Sequence, residues 1–348
     1  MKFPLPQNLK LIAVIIIKNT LKMEIKKILI FGAGVIGSIY AGKLSLSGHN
    51  VSVLARNKRL EELKVNGLLL AENGKKTIKI NVSVISELKT DDIYDYIFVT
   101  LRKNQLKEAL QILSQNQSKN FVFMVNTASG YFDWIEKIGI ERFIPAFPGA
   151  GGKVENGLVY FSLTSRFVQA TTLGEIDGKA SPRIVKLVEI LRNAGFSTTI
   201  SKRMDTWQKS HVAMVCSLAY GIYFDGGNNY SFSKNKRAIV QMNKALKEAF
   251  DFLKKSGIGV EPSKLNIFRI APLWTLNLVM SFVFNTKWAE TVISNHALAA
   301  RDEMEMLFND FILLAKDNGY TLNEFTKLEK NESNYMHQIR TTRSASNK

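Results

Sequence analysis

The chain has 348 residues, enough for two domains with cores of their own, and a formal net charge of +17 at pH 7. The lysines are scattered along helical stretches without a zinc or other nucleic-acid motif, so the charge does not indicate a nucleic-acid binder. A diffuse positive field favours small anionic ligands instead. The single cysteine, Cys216, excludes a disulfide within the chain and suits a reducing compartment, so we expect a cytoplasmic protein.

Residues 1–23 are expected to form an N-terminal extension that adds nothing to the fold. The apolar run at 11–17 is too short for a membrane span, and no convincing cleavage site follows it. Met23 begins the sequence MEIKKILIFGAG, a natural start for a fold whose first strand opens the chain. We therefore expect no membrane association.

A glycine-rich turn follows the first predicted strand, residues 28–31, and opens an amphipathic segment. Its Gly-x-Gly-x-x-Gly pattern places Gly32 at a tight turn, Gly34 beside a pyrophosphate and Gly37 where the helix packs on the strand. The helix N-terminus directs unpaired N–H groups at the phosphates. A purely structural turn is the alternative. The predicted cofactor-binding stretch is Gly32, Ala33, Gly34, Val35, Ile36 and Gly37.

The end of the second predicted strand, residues 51–55, indicates which dinucleotide binds. NAD sites usually place a carboxylate there, on the ribose 2′-hydroxyl. This chain instead continues with Arg56 and three further polar or basic residues. Because a guanidinium is planar, permanently charged and able to bond two phosphate oxygens, we predict NADP(H), with Arg56 as the contact. A solvated basic turn is the alternative.

Residues 24–202 alternate strand and helix patterns, which predicts an α/β fold class with an N-terminal Rossmann-type doubly wound sheet. Short, continuous apolar runs are typical of parallel strands covered on both faces. Asn73-Gly74 between two such runs predicts a hairpin. The predicted strands are 28–31, 51–55, 68–70, 77–80, 96–101, 121–125, 143–147 and 171–176.

Residues 203–328 change to long helical periods and predict a mostly α-helical C-terminal domain. Gly257 and Gly319 stand where helices should end. Beyond this domain, residues 329–348 are polar and basic and are expected to be a disordered tail. The predicted helices are 207–223, 236–256, 265–285 and 287–318.

Two ionisable residues of this helical half lie on or beside faces of small and apolar residues. Lys209 shares its face with Ala213 and Cys216, so it either extends towards solvent at the helix end or faces a cleft. Glu303 lies at the edge of an apolar stripe. It is either a cleft residue or a solvated residue at the flank of the helix. The four histidines lack metal-ligand spacing, and we predict no metal site.

Together these residues resemble the ketopantoate reductase family (2-dehydropantoate 2-reductase, the ApbA/PanE type) over roughly residues 26–324. The family's Trp-x-Lys motif matches at Lys209, and the asparagine of its Gln-Asn-Gly turn corresponds to Asn126. Its Thr-Leu-Lys-x-x-Gln segment resembles residues 100–105, with Arg102 in the lysine position. Gly319 corresponds to the glycine of the family's His-Gly turn. Counting back from it places the family's glutamate at Glu303.

The resemblance implies NADPH-dependent reduction of a small 2-oxo acid to a 2-hydroxy acid, of the kind that converts ketopantoate to pantoate in pantothenate biosynthesis. Lys209 would protonate the developing alkoxide and Glu303 would orient the lysine or bind a substrate hydroxyl. Arg102 and Asn126 would contact the cofactor. Asn126, Ser217 and Ser294 would contact the substrate. A homodimer is left open by the sequence.

The sequence departs from the family at several substrate-binding positions. Ala213 and Ser217 replace the asparagines that follow the family's lysine. Ser294 lies closer to Glu303 than the family's serine does, and Asn295 or His296 could take its place. The loop at 147–152 is also unusual. Two alternatives therefore stay open: an opine- or imine-type reductase acting on a C=N bond, and an NADPH-binding sensor without turnover.

Overall fold

The structure, a computed structural model, describes residues 24–330, apart from the side chain of His296. The expected extension at 1–23 and residues 331–348 of the expected tail lie outside the described residues. Its strands are β1 Lys27–Phe31, β2 Asn50–Leu54, β3 Leu68–Glu72, β4 Ile78–Ile80, β5 Ser83–Ile85, β6 Tyr96–Val99, β7 Phe121–Phe123, β8 Phe143–Phe147, β9 Ala150–Glu155, β10 Leu158–Leu163, β11 Thr171–Leu173 and β12 Thr198–Ile200.

The helices, numbered within the described residues, lie between the strands and throughout the second half of the chain. They are α1 Val35–Leu46, α2 Asn57–Asn66, α3 Lys103–Gln115, α4 Phe132–Ile138, α5 Pro182–Asn193, α6 Met204–Phe224, α7 Asn229–Lys234, α8 Lys236–Lys255, α9 Ile267–Ile270, α10 Leu273–Phe284, α11 Lys287–Ala289, α12 Asn295–Ala299 and α13 Arg301–Asp317. A 3₁₀ turn, Ser263–Asn266, precedes α9, and a π-helical turn, Glu290–Ser294, precedes α12.

An eight-stranded sheet in the order β12-β11-β8-β7-β6-β1-β2-β5 forms the N-terminal half. Its neighbours pair in parallel except β8 with β11. Because the chain runs from β1 outwards through β2 to β5 and then returns beside β1 as β6, the strand order reverses between β1 and β6. This confirms the predicted doubly wound sheet and places its ligand-binding crevice at the carboxyl ends of these two strands.

A second sheet, in the order β4-β3-β10-β9, lies beside α1. The predicted hairpin forms β3 and β4, with Asn73 and Gly74 both at positive φ. The sequence did not predict β9 and β10, which carry the unusual glycine-rich loop into this sheet. Gly152 allows the close approach, since a Cβ there would lie 2.2 Å from the carbonyl oxygen of Tyr160.

After β12 every described element is helical, which confirms the predicted helical C-terminal region. Its core is formed by α6, α8 and α13, which bury large aromatic side chains such as Phe250, Phe308 and Phe311. Gly257 and Gly319 adopt positive φ directly after helices, as predicted. No single helix among residues 24–330 is long and apolar enough to span a membrane, and only the bent pair Ser263–Ile270 and Leu273–Phe284 passes that test jointly.

Two of the predicted long helices are broken. The segment predicted as one helix at 265–285 bends by 116° before α10. Pro272 causes the break, because it forces the preceding Ala271 into an extended conformation (φ −63°, ψ 143°). The helix predicted at 287–318 passes through a π-helical turn and breaks at Ala300 (φ −127°, ψ 38°).

Candidate functional site

A cleft of about 1810 Å³ lies between the carboxyl edge of the main sheet and the helical half. Of the residues predicted from the sequence for the site, some line this cleft and others do not. Those that line it are Gly32, Ala33, Gly34, Val35, Ile36, Arg56, Arg102, Asn126 and Glu303. Those outside its lining are Gly37, Lys209, Ser217 and Ser294.

The three glycines of the turn after β1 have different structural roles. Gly32 has a φ of +118°, which few other residues adopt. A Cβ on Gly37 would lie 1.9 Å from the carbonyl oxygen of Gly32, so only glycine lets α1 pack this closely on the turn. A Cβ on Gly34 would meet no atom within 4 Å, because this position faces the open cleft.

The N-terminus of α1 is available to an anion from the cleft. Gly34 is its N-cap, no side chain caps it, and no acidic residue lies in its first turn. The first intrahelical hydrogen bond runs from the N–H of Ser38, which leaves the preceding N–H groups without helical acceptors. Thr100, directly after β6, holds the turn by donating its hydroxyl to the carbonyl oxygen of Gly32 at 2.9 Å. These features suit a pyrophosphate.

Two arginines follow β2 and differ in what they contact. The exposed guanidinium of Arg56 lines the cleft and forms no hydrogen bond or ion pair with any residue in the described part of the chain. Arg59 is held in place: Nε donates to the carbonyl oxygen of Ala33 at 3.2 Å, and Nη1 donates to that of Gly157 at 3.1 Å. Arg59 therefore braces the glycine turn, while Arg56 is open to a phosphate.

Asn126 and Glu303 meet at the middle of the cleft, although they come from different halves of the chain. Glu303 is only 5% exposed, and burial raises the pKa of its carboxyl because a carboxylate there loses hydration. The backbone N–H of Lys103 and the side-chain amide of Asn126 donate to this carboxylate and oppose the rise, as does the charge of Arg102. The pair offers a polar centre in an otherwise largely apolar cleft.

Contacts across the cleft join α3 to α12 and α13. Arg102 donates to Oδ1 of Asp302 at 3.1 Å and to the carbonyl oxygen of Ala299 at 2.7 Å. Asn104 donates to Oδ2 of Asp302 at 2.6 Å, and Lys103 forms an ion pair with Asp310. Arg102 thus lines the cleft while it holds the two halves together.

Lys209 lies on another side of α6 from the cleft. The cleft-lining residues of that helix include Trp207, His211 and Leu218, and at 100° per residue Lys209 falls on the opposite face. Its Nζ lies 2.5 Å from Oδ2 of Asp205, which packs against Gly130 in the loop after Asn126. The structure therefore brings Lys209 near the Asn126 loop but not to the cleft surface or to Glu303.

The two predicted substrate serines are buried away from the cleft surface. The hydroxyl of Ser217 donates to the carbonyl oxygen of Ala213 at 2.8 Å, within α6. Ser294 is 2% exposed, at the end of the π-helical turn, and its hydroxyl has no hydrogen-bond partner among the described residues. Their side chains would have to be uncovered to contact a substrate.

Sequence reasoning missed two residues that line the cleft. They are Arg59, which holds the glycine turn in place, and His211. The His211 ring stacks on Trp207 with centroids 5.5 Å apart and lies 4.2 Å from the ring of Phe147. The i, i+4 spacing of Trp207 and His211 on one helix was the available signal. Among residues 24–330 no group of three or more histidine, cysteine, aspartate or glutamate side chains is arranged to hold a metal ion.

Comparison with known proteins agrees with this geometry. Residues 28–163 match the family model described as ketopantoate reductase PanE/ApbA. A 2-dehydropantoate 2-reductase of Mesorhizobium japonicum is 28% identical over 211 residues, which cover 53% of this chain and 63% of that relative. The chain therefore spans less than two thirds of the length of this curated relative.

Solved structures share the fold at low sequence identity. A PanE/ApbA family ketopantoate reductase from Ralstonia eutropha JMP134 aligns with a TM-score of 0.69 at 15% identity, covering 89% of this chain and 100% of that one. A D-mandelate dehydrogenase, solved with NADH and anilino(oxo)acetate, aligns with a TM-score of 0.69 at 16% identity over 90% and 99% of the two chains. The resemblance predicted from the sequence is confirmed over part of the chain: residues 28–163 match the family model described as ketopantoate reductase PanE/ApbA.

Proposed function

We propose that this protein reduces a 2-oxo acid to a 2-hydroxy acid with NADPH as the hydride donor. The observation that carries the proposal is the meeting of two sites in one cleft. The glycine turn and the free N-terminus of α1 line one part of it, and Asn126 with the buried Glu303 lines the next. A nicotinamide bound at this crevice would lie beside an amide and a carboxyl that can hold a carbonyl substrate.

The preference for NADPH over NADH is proposed from Arg56. Its guanidinium lines the cleft after β2, without a partner among the described residues, where a ribose 2′-phosphate would lie. Since no carboxylate stands at the end of β2, nothing there favours a 2′-hydroxyl. We expect NADPH to bind about tenfold or more tightly than NADH, and Arg56→Ala to remove most of that difference. Equal dissociation constants in the wild type would refute the preference.

Lys209 is proposed as the proton donor to the developing alkoxide. The Trp-x-Lys match and the position of its ion pair beside the Asn126 loop support this role. To act, the ammonium must exchange Asp205 for the substrate oxygen and turn towards the cleft. The placement of Lys209 outside the cleft lining is the observation that favours the second candidate, an NADPH-binding sensor without turnover.

The deciding experiment measures NADPH oxidation with ketopantoate and a panel of 2-oxo acids, each with and without an amine. Turnover of ketopantoate would establish the family reaction in this chain. Turnover of other oxo acids alone would keep the reaction class and change the substrate. Turnover that requires an amine would identify an imine- or opine-type reductase. Tight NADPH binding without any oxidation would leave the sensor.

A further inference from the structure

The cleft continues past Asn126 and Glu303 into a second region with apolar walls. Its walls come from the cleft face of α6, which includes Met214 and Leu218, and from the facing side of α10, which includes Val279, Met280 and Val283. We call this region the apolar lobe. The helix α10, LWTLNLVMSFVF, carries no charged side chain along its whole length.

The volume of the cleft exceeds what a single ligand needs. Sites for one small molecule typically measure about 300–1,000 Å³, whereas this cleft measures about 1810 Å³. The glycine turn, Arg56 and Arg59 bound the part that suits a dinucleotide. The apolar lobe lies beyond them, so a second ligand would occupy it together with the cofactor.

The walls of the apolar lobe are partly open to water rather than packed into the protein core. Val279 is 51% exposed and Val283 is half-buried, although both line the cleft. Apolar surface held open to water is unfavourable, and a ligand that covers it recovers that free energy. Met214 and Met280 have flexible side chains that adjust to differently shaped apolar groups.

The polar centre and the apolar lobe are continuous, so one molecule can contact both. A 2-oxo acid with its oxygens at Asn126 would project its substituent between α6 and α10. Given the reduction proposed above, we propose that the apolar lobe binds the substrate's side chain and that the substrate is a 2-oxo acid with an extended alkyl or aryl substituent. A short, hydroxylated side chain would leave Val279 and Val283 exposed.

The test uses NADPH and linear 2-oxo acids of increasing length: 2-oxobutanoate, 2-oxohexanoate and 2-oxooctanoate. In the wild type, kcat/KM should rise about two- to fourfold per added methylene group. Val279→Asp should lower kcat/KM for 2-oxooctanoate at least tenfold more than for 2-oxobutanoate. The matched control is Leu278→Asp, which changes the neighbouring residue of α10. Leu278 is 67% exposed and lies outside the cleft lining, so its change should leave the length dependence intact.

A binding measurement separates this inference from the proposed reaction. Octanoate is titrated into the protein loaded with NADP⁺ and followed by tryptophan fluorescence, since Trp207 and Trp288 line the cleft. Saturable octanoate binding that is weakened by Val279→Asp but not by Leu278→Asp would support ligand binding in the apolar lobe. This result would hold even if no oxo acid were turned over and the reaction proposal failed. Turnover of short oxo acids without a length dependence, or equal effects of the two variants, would refute side-chain binding in the apolar lobe. The proposed reduction would then still stand.

Discussion

At the scale of single residues, substitutions at Gly34 and Gly37 should distinguish an effect on cofactor binding from an effect on helix packing. A methyl group at Gly37 meets the carbonyl oxygen of Gly32 at 1.9 Å, so Gly37→Ala should cost about 2 kcal/mol or more of unfolding free energy and weaken NADPH binding as well. Gly34→Ala meets no protein atom and should change stability by less than about 1 kcal/mol.

The same methyl group at Gly34 points into the cleft, where a pyrophosphate would approach the backbone. Gly34→Ala should therefore raise the dissociation constant of NADPH about tenfold or more. Urea unfolding and fluorescence titration of both variants check the pair. A Gly34→Ala variant that binds NADPH as the wild type does would contradict a pyrophosphate at this turn.

Lys209 allows a direct test of the proton-donor proposal. Lys209→Met removes the ammonium and should lower kcat by about 10²- to 10⁴-fold with the dissociation constant of NADPH unchanged. Asp205→Asn breaks the 2.5 Å ion pair but keeps the ammonium, and should retain most activity. Lys254→Met, in the last turn of α8, is the control for loss of a surface lysine. Near wild-type turnover by Lys209→Met would transfer the proton-donor role to another group of the cleft.

The buried carboxyl of Glu303 should make stability depend on pH in a known direction. Its pKa is raised by burial above the ordinary value, so the folded protein holds this proton more tightly than the unfolded chain does. The resulting stabilisation is complete below the unfolded pKa, about 4.3, and is lost as the pH rises through the folded pKa. Glu303→Gln has no charge to bury and keeps an acceptor for the N–H of Lys103.

The unfolding free energy of Glu303→Gln relative to the wild type should therefore increase as the pH is raised from about 4 to 8. Urea unfolding at several pH values measures this difference. Glu305→Gln, an exposed position on the same helix, should show no such trend. A relative stability of Glu303→Gln that falls with rising pH would mean that the carboxylate is stabilised in the fold.

At the scale of elements, Arg59 joins three parts of the N-terminal half. Its guanidinium donates to the glycine turn at Ala33, to the β9–β10 turn at Gly157 and to Ser38 of α1. Lysine has one ammonium and cannot reproduce this fork, so Arg59→Lys should cost about 1–2 kcal/mol of unfolding free energy and weaken NADPH binding.

The control for Arg59→Lys is Lys64→Gln on the same helix. Lys64 is half-exposed and, among residues 24–330, forms an ion pair only with Glu61 at 3.4 Å, so its loss should change stability by less than about 0.5 kcal/mol. Thermal unfolding of both variants with and without NADPH provides the measurement. If Arg59→Lys and Lys64→Gln lost equal stability, the hydrogen bonds of the Arg59 guanidinium would not contribute measurably to the free energy of unfolding.

The elements also show which parts of the fold could be predicted from the sequence. The central parallel strands could be, because their short apolar runs are buried on both faces. The parallel edge strands β5 and β12 were not predicted, because they are short and partly exposed. The strands β9 and β10 were not predicted: the glycine-rich stretch that opens β9 has little strand propensity and pairs with β10, which in turn pairs with β3. The break at Pro272 had a local signal, since proline inside a helical pattern ends the helix, and the apolar periodicity on both sides concealed it.

The site was partly predictable for a similar reason. The glycine turn is local, and its three positions follow from spacing alone. The contact between Asn126 and Glu303 depends on how the two halves pack, which spacing along the chain does not encode. The orientation of α6 could not be predicted, because the helix carries small and apolar residues on all of its faces. Periodicity therefore did not indicate whether Lys209 or His211 faces the cleft.

At the scale of the whole molecule, the excess positive charge is partly concentrated in the cleft. Six basic and three acidic side chains line it. They are Arg56, Arg59, Arg102, Lys153, Arg166 and Lys264 against Glu108, Glu261 and Glu303. Because basic side chains outnumber acidic ones two to one in the cleft, its net field should attract an anion from a distance, beyond the contacts formed once it is bound.

The association rate constant of NADPH should therefore fall with salt. Raising the ionic strength from about 0.01 to 0.1 M shortens the screening length from about 30 to about 10 Å, and we expect the rate constant to fall severalfold. NADH, which lacks the 2′-phosphate, should show a weaker dependence. Stopped-flow tryptophan fluorescence measures both. Lys153→Gln combined with Arg166→Gln should flatten the salt dependence, whereas Lys186→Gln, on α5 outside the cleft lining, should not. A salt-independent rate would mean that the net charge of +17 serves something other than capture of the cofactor.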